Sequence, residues 1–402
     1  MINCEVCQSD SLTKPLVLGD FPLCDDLSLI GSSSLSKTYS QSIVLCRDCL
    51  TAHQLFPVSK TDLFKPNYHY RAALTRDVLD GMGKLVEHVA NFTSASKPQL
   101  VLDIGCNDGS LLKMFKEQLG FTVVGVDPTD AIDEAVDALD GAYKGFFDTE
   151  LASKISRDFG CPDVITFTNV FAHIENLPAL LQALQILIGE ETVVVIENHY
   201  LGEILDKYQF DTFYHEHPRT YSAHSFKFIA KQLGLTINEI QFPSRYGGNI
   251  RVTLSKNNLE RTQVAEVLDG EKSFIRKFEE FEDVYKGWLI HSKEQLDKLE
   301  ARGPFLGKSL PGRAVMLLNA LKITEVQMPV LYEQSKSPKV GHYVPGTLIR
   351  ILSDTELANS TGTIIVWAWH IIDEVTEQLE GLGFKGEVWT PLPKFELFKI
   401  LE

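Results

Sequence analysis

Apolar positions along this chain follow two alternating rhythms. Short apolar runs occur at 100–104, 122–126, 163–168 and 192–197. Between them lie stretches with apolar residues at helical spacing, such as Ser110–Leu119 and Leu177–Leu187. Runs of this length alternating with amphipathic helices predict an α/β unit built on a parallel sheet. Thr236–Gln241 and Asn249–Ser255 read as an antiparallel pair, with Gly247-Gly248 before the second strand. From about 258 to 302 the chain is charged and helix-prone, and Phe274, Phe278, Phe281, Tyr285 and Leu289 recur at helical spacing. Gly303-Pro304 punctuates its end. A second, shorter α/β pattern follows, with strands expected at 314–318, 329–333, 363–368 and 384–389.

The pattern divides the chain into three expected units. Residues 1–65 carry paired cysteines and little helical periodicity, residues 66–257 form the main α/β domain, and residues 258–402 hold the helical linker and the second α/β domain. A length of 402 residues suits two or three domains. Hydrophobic residues make up 44% and charged residues 23%, an ordinary globular balance. No run reaches the roughly 18 apolar residues that a membrane helix needs. The start, Met1 to Cys7, has neither the basic nor the apolar region of a signal peptide. A soluble, cytoplasmic protein is expected. With 38 basic against 54 acidic residues the formal charge is −16, and no Lys/Arg-rich run exists. Nucleic-acid binding needs a basic footprint, so that class is set aside, whereas a small anionic ligand is still compatible. Nothing in the pattern sets an oligomeric state.

Four of the seven cysteines form two pairs, Cys4-x2-Cys7 and Cys46-x2-Cys49. Each pair presents two thiolates on one tight knuckle, and two knuckles complete a tetrahedron around Zn²⁺. Four cysteines close the site, so the expected role is structural. His53 lies close by and is read as a packing residue.

Strand 100–104 runs into Asp103-Ile104-Gly105-Cys106-Asn107-Asp108-Gly109-Ser110, and Asp127 ends the next apolar run. Glycines let backbone approach a ligand, and a carboxylate at the second strand end can accept from ribose hydroxyls. A dinucleotide site favours G-x-G-x-x-G, with a pyrophosphate on the helix. Here Asp103 precedes the first glycine, which suits an ammonium better than a pyrophosphate. S-adenosylmethionine is therefore preferred to NAD. Phe146 and Phe147 could flank an adenine, and Asn169 to His173 follow the strand at 163–168, where carboxyl ends face the crevice.

The densest chemistry lies in Asp211-Thr212-Phe213-Tyr214-His215-Glu216-His217. If this stretch is extended, Tyr214 and Glu216 share one face and His215 and His217 the other. One imidazole is a natural general base, although a hydrogen-bonded buried cluster is the plainer alternative. The spacing is not that of a zinc protease helix.

Together these motifs resemble the sugar C-methyltransferases that act on nucleoside-diphosphate-linked keto deoxysugars. The resemblance runs through the paired cysteines, Gly19 to Leu23, Tyr68-His69-Tyr70-Arg71, Asp103 to Gly109, Gly145-Phe146-Phe147, Asn169 to His173, Phe210 to His217, Gly247 to Arg251 and Pro338 to Gly346. It implies that His217 abstracts the proton beside the sugar ketone. It implies that Tyr214, Glu216 and Tyr68 or Tyr70 share that site. S-adenosylmethionine would rest on Asp103, Gly105, Asn107, Gly109, Asp127, Phe147, Asn169 and His173, and zinc on Cys4, Cys7, Cys46 and Cys49. The C-terminal domain would help to hold the nucleotide-linked sugar. The chain departs from the family at Lys308 to Arg313, at Tyr332 to Lys336, at Asn249 after the glycine pair, and at Pro218-Arg219 after the base motif. Methyl transfer to oxygen or nitrogen, and a non-catalytic scaffold, are the other readings.

Overall fold

The computed structural model describes residues 3–32, 36–64, 70–92, 99–257 and 262–402. Its strands form three sheets. The central one has seven strands in the order Thr236–Gln241, Asn249–Ser255, Val193–His199, Val164–Thr168, Leu100–Ile104, Thr122–Asp127 and Gly141–Lys144. Strands 193–199 through 141–144 run parallel, and Asn249–Ser255 pairs antiparallel with Val193–His199 on one side and Thr236–Gln241 on the other. This is a Rossmann-like α/β sheet, as the alternating pattern predicts. Leu102, Val124, Ile165 and Val194 are fully buried, which is why these strands read as continuous apolar runs rather than alternating ones.

The helices between them start and stop on local signals. Asn176 accepts from the Ala179 amide and Pro178 sits in the first turn of Leu177–Leu187. Ser222 and Ser225 make a reciprocal capping pair at the start of Ala223–Gln232. Gly120, at φ +67°, ends Ser110–Leu119 in the left-handed region.

The long helix Phe274–Glu300 buries Phe274, Phe278, Phe281, Tyr285, Trp288, Leu296 and Leu299 on one face. Each such side chain contributes about 1.5–3 kcal/mol of burial. Tyr285 donates to the Leu18 carbonyl at 2.9 Å and Trp288 to the Pro391 carbonyl at 2.8 Å, so this face meets both the N-terminal and C-terminal segments.

The C-terminal sheet holds Leu306–Lys308, Val330–Glu333, Arg350–Ser353, Thr361–Val366 and Lys385–Thr390 in parallel. The strand expected at 314–318 is instead part of the helix Gly312–Ala320, and the sheet takes Leu306–Lys308 in its place. Residues 313–318 are buried all round, so the apolar run carries no face by which a helix could be told from a strand. The third sheet joins Leu16–Pro22, Thr38–Leu45, Ala52–Gln54 and Arg219–Thr220. The segments interlock: Arg219–Thr220 pairs with the N-terminal strand Ala52–Gln54, and Ser28–Leu29 pairs with His342–Tyr343 in the C-terminal sheet. Among the described residues, no helix is long and apolar enough to cross a membrane.

Candidate active site

A cavity of about 390 Å³ lies over the carboxyl ends of the central parallel strands. Asp103, Gly105, Asn107 and Asp127 line it, and so do Tyr214, Glu216 and His217. The glycine-rich turn and the histidine segment therefore open into one chamber. Pro311, Gly312, Arg313, Lys339 and His370 bring the C-terminal segment to the same walls.

At the turn, Gly105 has φ +78° and a Cβ there would overlap Val170, so only glycine permits the close approach. Asn107 also takes a positive φ of 51°; its backbone amide donates to Asp127 Oδ2 at 2.9 Å. Asp127 Oδ1 accepts from the amide and hydroxyl of Thr129 at 2.8 and 2.6 Å. The carboxylate is thus fixed in orientation at the cavity wall. Asp103 accepts from the Thr166 hydroxyl at 2.7 Å and has no ion pair among the described residues. Burial, with Asp127 adding to it, pushes its pKa up to about 7 against the pull of the Thr166 hydrogen bond. A buried carboxylate without a cation is a natural receptor for an ammonium group.

Phe147 and Asn169 line the cavity as expected. Asn169, at φ +56°, accepts from the Asn249 side chain at 3.0 Å. Gly109 does not reach the cavity: it starts Ser110–Leu119 at φ +71°, and a Cβ there would strike Ala135. Its part is helix packing rather than ligand contact. Tyr68 lies outside the described residues.

The segment at 214–217 is a turn, not a strand. The His217 amide donates to the Tyr214 carbonyl at 2.9 Å, so the expected alternation of faces fails. Tyr214, Glu216 and His217 all face the cavity, while His215 turns away to the Tyr39 carbonyl at 3.2 Å. Pro218 follows the turn, and its carbonyl accepts from the Gln54 backbone amide at 3.0 Å.

His217 Nδ1 lies 2.8 Å from the Thr212 carbonyl oxygen. A carbonyl only accepts, so Nδ1 carries the proton and Nε2 keeps its lone pair. Burial holds the His217 pKa well below the ordinary imidazole value, and the neighbouring His173 acts in the same direction. The ring is neutral and able to accept a proton. His173, His199 and Tyr214 have ring centres 4.7, 4.9 and 4.3 Å from it. Burial raises the Tyr214 and Tyr246 pKa values, so these phenols keep their protons and can donate. Tyr70 and Tyr246 hydroxyls meet at 3.0 Å.

A family model described as a methyltransferase domain matches residues 73–240, and one described as a C-methyltransferase C-terminal domain matches residues 244–393. The chain is 26% identical over 408 aligned residues to the C-methyltransferase NovU of Streptomyces niveus, covering 98% of this chain and 96% of that one. This chain is an S-adenosylmethionine-dependent C-methyltransferase.

Solved structures similar to this methyltransferase include magnesium protoporphyrin IX methyltransferase from Synechocystis PCC 6803 with bound SAH. That chain is 17% identical, with 45% of this chain and 84% of that one covered at a TM-score of 0.34. The PH0226 protein from Pyrococcus horikoshii OT3 is 15% identical, with 47% and 95% covered at a TM-score of 0.36.

Cys4, Cys7, Cys46 and Cys49 of the methyltransferase converge, with all four sulfurs within 4.8 Å of one another. This cluster does not stand apart from the cavity. Gln54 donates its amide to the Tyr214 and His217 carbonyls at 2.8 and 2.9 Å, clamping both ends of the base-bearing turn. Arg219 forms an ion pair with Glu5, between the first two cysteines, and also donates to the Ile174 and Glu175 carbonyls beside His173. Glu216, in turn, accepts from the Cys24 thiol at 2.6 Å.

The sequence pattern does not mark Cys24, His199, Arg245, Tyr246 or His370 as cavity residues, yet the structure brings all five to its lining. Only Tyr246 and Arg245 had a local signal, their place directly before the Gly247-Gly248 turn.

Proposed function

We propose that this methyltransferase acts on the carbon beside the ketone of a nucleoside-diphosphate-linked keto deoxysugar, with His217 as the base. The observation that carries the reading is the His217 tautomer. Its unprotonated Nε2 belongs to a ring that lines the same chamber as the Asp103 to Asp127 turn.

Asp103 is assigned to the ammonium of the methionyl group and Asp127 to the ribose hydroxyls, with Phe147 beside the adenine and Gly105, Asn107 and Asn169 shaping the walls. Bound there, S-adenosylmethionine supplies an electrophilic methyl group. A carbon beside a ketone becomes a nucleophile only as an enolate, so a proton must leave and the oxygen must be stabilised. His217 Nε2 takes that proton. The protonated phenols of Tyr214 and Tyr70 are the donors available to the developing oxyanion. Glu216, held by Cys24, lies 3.8 Å from the Nδ1 of His173, the imidazole next to the base. The second α/β unit, within residues 258–402, is assigned to the nucleotide end. Lys339 and the start of the helix Gly312–Ala320 supply positive potential at the cavity wall.

A structural Zn²⁺ is assigned to the cysteine cluster of the N-terminal module. Two sulfur pairs lie 3.4 and 3.5 Å apart, close to the roughly 3.8 Å set by tetrahedral Zn–S bonds of about 2.3 Å. Its work is to hold the strand that carries Gln54, and through it the base turn.

Exchange in D₂O tests the reaction type. With S-adenosylhomocysteine in place of the methyl donor, the wild-type protein is expected to wash deuterium into the position beside the ketone. Methyl transfer without such exchange, into an oxygen of the sugar, would overturn the carbon assignment.

A further inference from the structure

Arg245 is 4% exposed and lines the cavity, yet its hydrogen bonds are only half made. Nη1 donates to Glu197 Oε1 at 3.1 Å. Nε and Nη2 have no acceptor among the described residues. These two nitrogens form one edge of the guanidinium, the edge whose parallel N–H groups match a carboxylate or a phosphate. Glu197 cannot serve them. It already receives Arg251 on its other oxygen, at 2.8 and 2.7 Å, and Asn249 at 3.1 Å. Buried donors left without acceptors are costly, and natural interiors rarely keep them.

The surroundings are built for this side chain. Gly81 lies inside the helix Arg76–Ala90, a position where glycine is unfavourable. A Cβ there would fall 2.0–2.7 Å from Cδ, Nε and Cζ of Arg245, so the glycine makes room for the guanidinium. Tyr246 covers it, with its ring centre 5.3 Å away. The same tyrosine meets Tyr70, whose carbonyl accepts from the Asn107 side chain at 3.2 Å. Arg245 is thereby linked through two tyrosines to the glycine-rich turn.

We infer that Arg245 is a ligand-binding residue that takes anionic oxygens on its Nε–Nη2 edge. The inference rests on the reading of this cavity as the chamber for cofactor and acceptor. Two sources present the right chemistry: the carboxylate of the methionyl group and the diphosphate of the acceptor. The path to Asn107 favours the carboxylate.

Calorimetry with three probes tests it: S-adenosylhomocysteine, 5′-methylthioadenosine, which lacks the amino-acid end, and thymidine diphosphate. Arg245→Met is expected to weaken S-adenosylhomocysteine by about 10- to 100-fold and to leave methylthioadenosine unchanged. Selective loss of thymidine diphosphate instead would keep the anion site and assign it to the acceptor. Unchanged affinity for all three, or equal loss of all three, overturns the inference. Gly81→Ala, which pushes on the guanidinium without removing it, is expected to show the same selective loss, and full retention would overturn the placement. If Arg245→Met fails to fold, Arg245→Lys keeps the pair with Glu197 but loses the paired edge, and the same criteria apply. A wild-type protein that binds no S-adenosylhomocysteine would defeat the cofactor reading itself, a separate failure.

Discussion

The central and C-terminal sheets share a plan. In each, five parallel strands are ordered 3-2-1-4-5 by their sequence within the sheet, and an antiparallel strand follows the fifth. In each, an acidic residue at the end of the second strand accepts from a backbone amide in the loop after the first: Asp127 from Asn107, Glu333 from Leu310. They part at the end of the first strand. There the central sheet carries Asp103, whose buried carboxylate meets only a hydroxyl among the described residues. The C-terminal sheet carries Lys308, fully buried and paired with Asp354 at 3.0 Å. One charge is left for something outside the chain to match, and the other is matched from within. The lesson is that a shared architecture says little about which half binds the cofactor, whereas an uncompensated buried charge at the strand end says much.

The largest effect is expected where the central unit does chemistry. His217→Gln removes the base while keeping an amide near the Thr212 carbonyl. Turnover should fall by about 10³-fold, within the range for loss of a general base. S-adenosylhomocysteine affinity should stay within a few-fold by calorimetry. A loss confined to affinity would place His217 in the cofactor corner and weaken the division of the chamber.

Asp103→Asn and Lys308→Met then test the comparison directly. The first is expected to weaken S-adenosylhomocysteine by about 10- to 100-fold, as loss of a charge-assisted bond does, with Tm unchanged or raised because an unpaired buried charge has gone. The second should do the reverse. It strands Asp354, costs about 3 kcal/mol as broken buried pairs do, and lowers Tm by several degrees, with cofactor affinity intact. If both variants lose only stability, the contrast between the two sheets has no functional content.

How far the sequence carries this picture depends on the range of the forces involved. The central strands and helices, and the Asp103 to Asp127 turn, are legible because period, caps and glycines are local signals. Ala314 to Leu318 is misread because a helix buried on all sides has no polar face to set its period. The turn at 214–217 is misread because it is shaped by Gln54, about 160 residues away, which grips two of its carbonyls. Arg245 and Gly81 form one feature only after the helix Arg76–Ala90 has packed against the central sheet. Long-range clamps of this kind leave no periodic trace, so residues such as Cys24, His199 and Gln54 carry no sequence signal of their place.

The smallest effect, and the most specific to Asp103, lies in pH. Its folded pKa, raised mainly by burial to about 7, stands above the ordinary aspartate value of 3.8. Between these values the folded state binds the proton and the unfolded state does not, so stability from this group is present at low pH and lost as pH rises through about 7. The ligand-free protein should therefore gain Tm between pH 8 and pH 6, by a degree or two, and Asp103→Asn should flatten that slope. Ligand binding must run the other way, since an ammonium needs the ionised carboxylate. S-adenosylhomocysteine affinity should fall as pH drops below about 7, and only in the wild type. Lys308, paired with Asp354, leaves no such unmatched charge at the corresponding strand end. A wild-type protein whose Tm and affinity are both flat between pH 8 and pH 6 would show that the carboxylate is matched from within after all, and the difference between the two sheets would vanish.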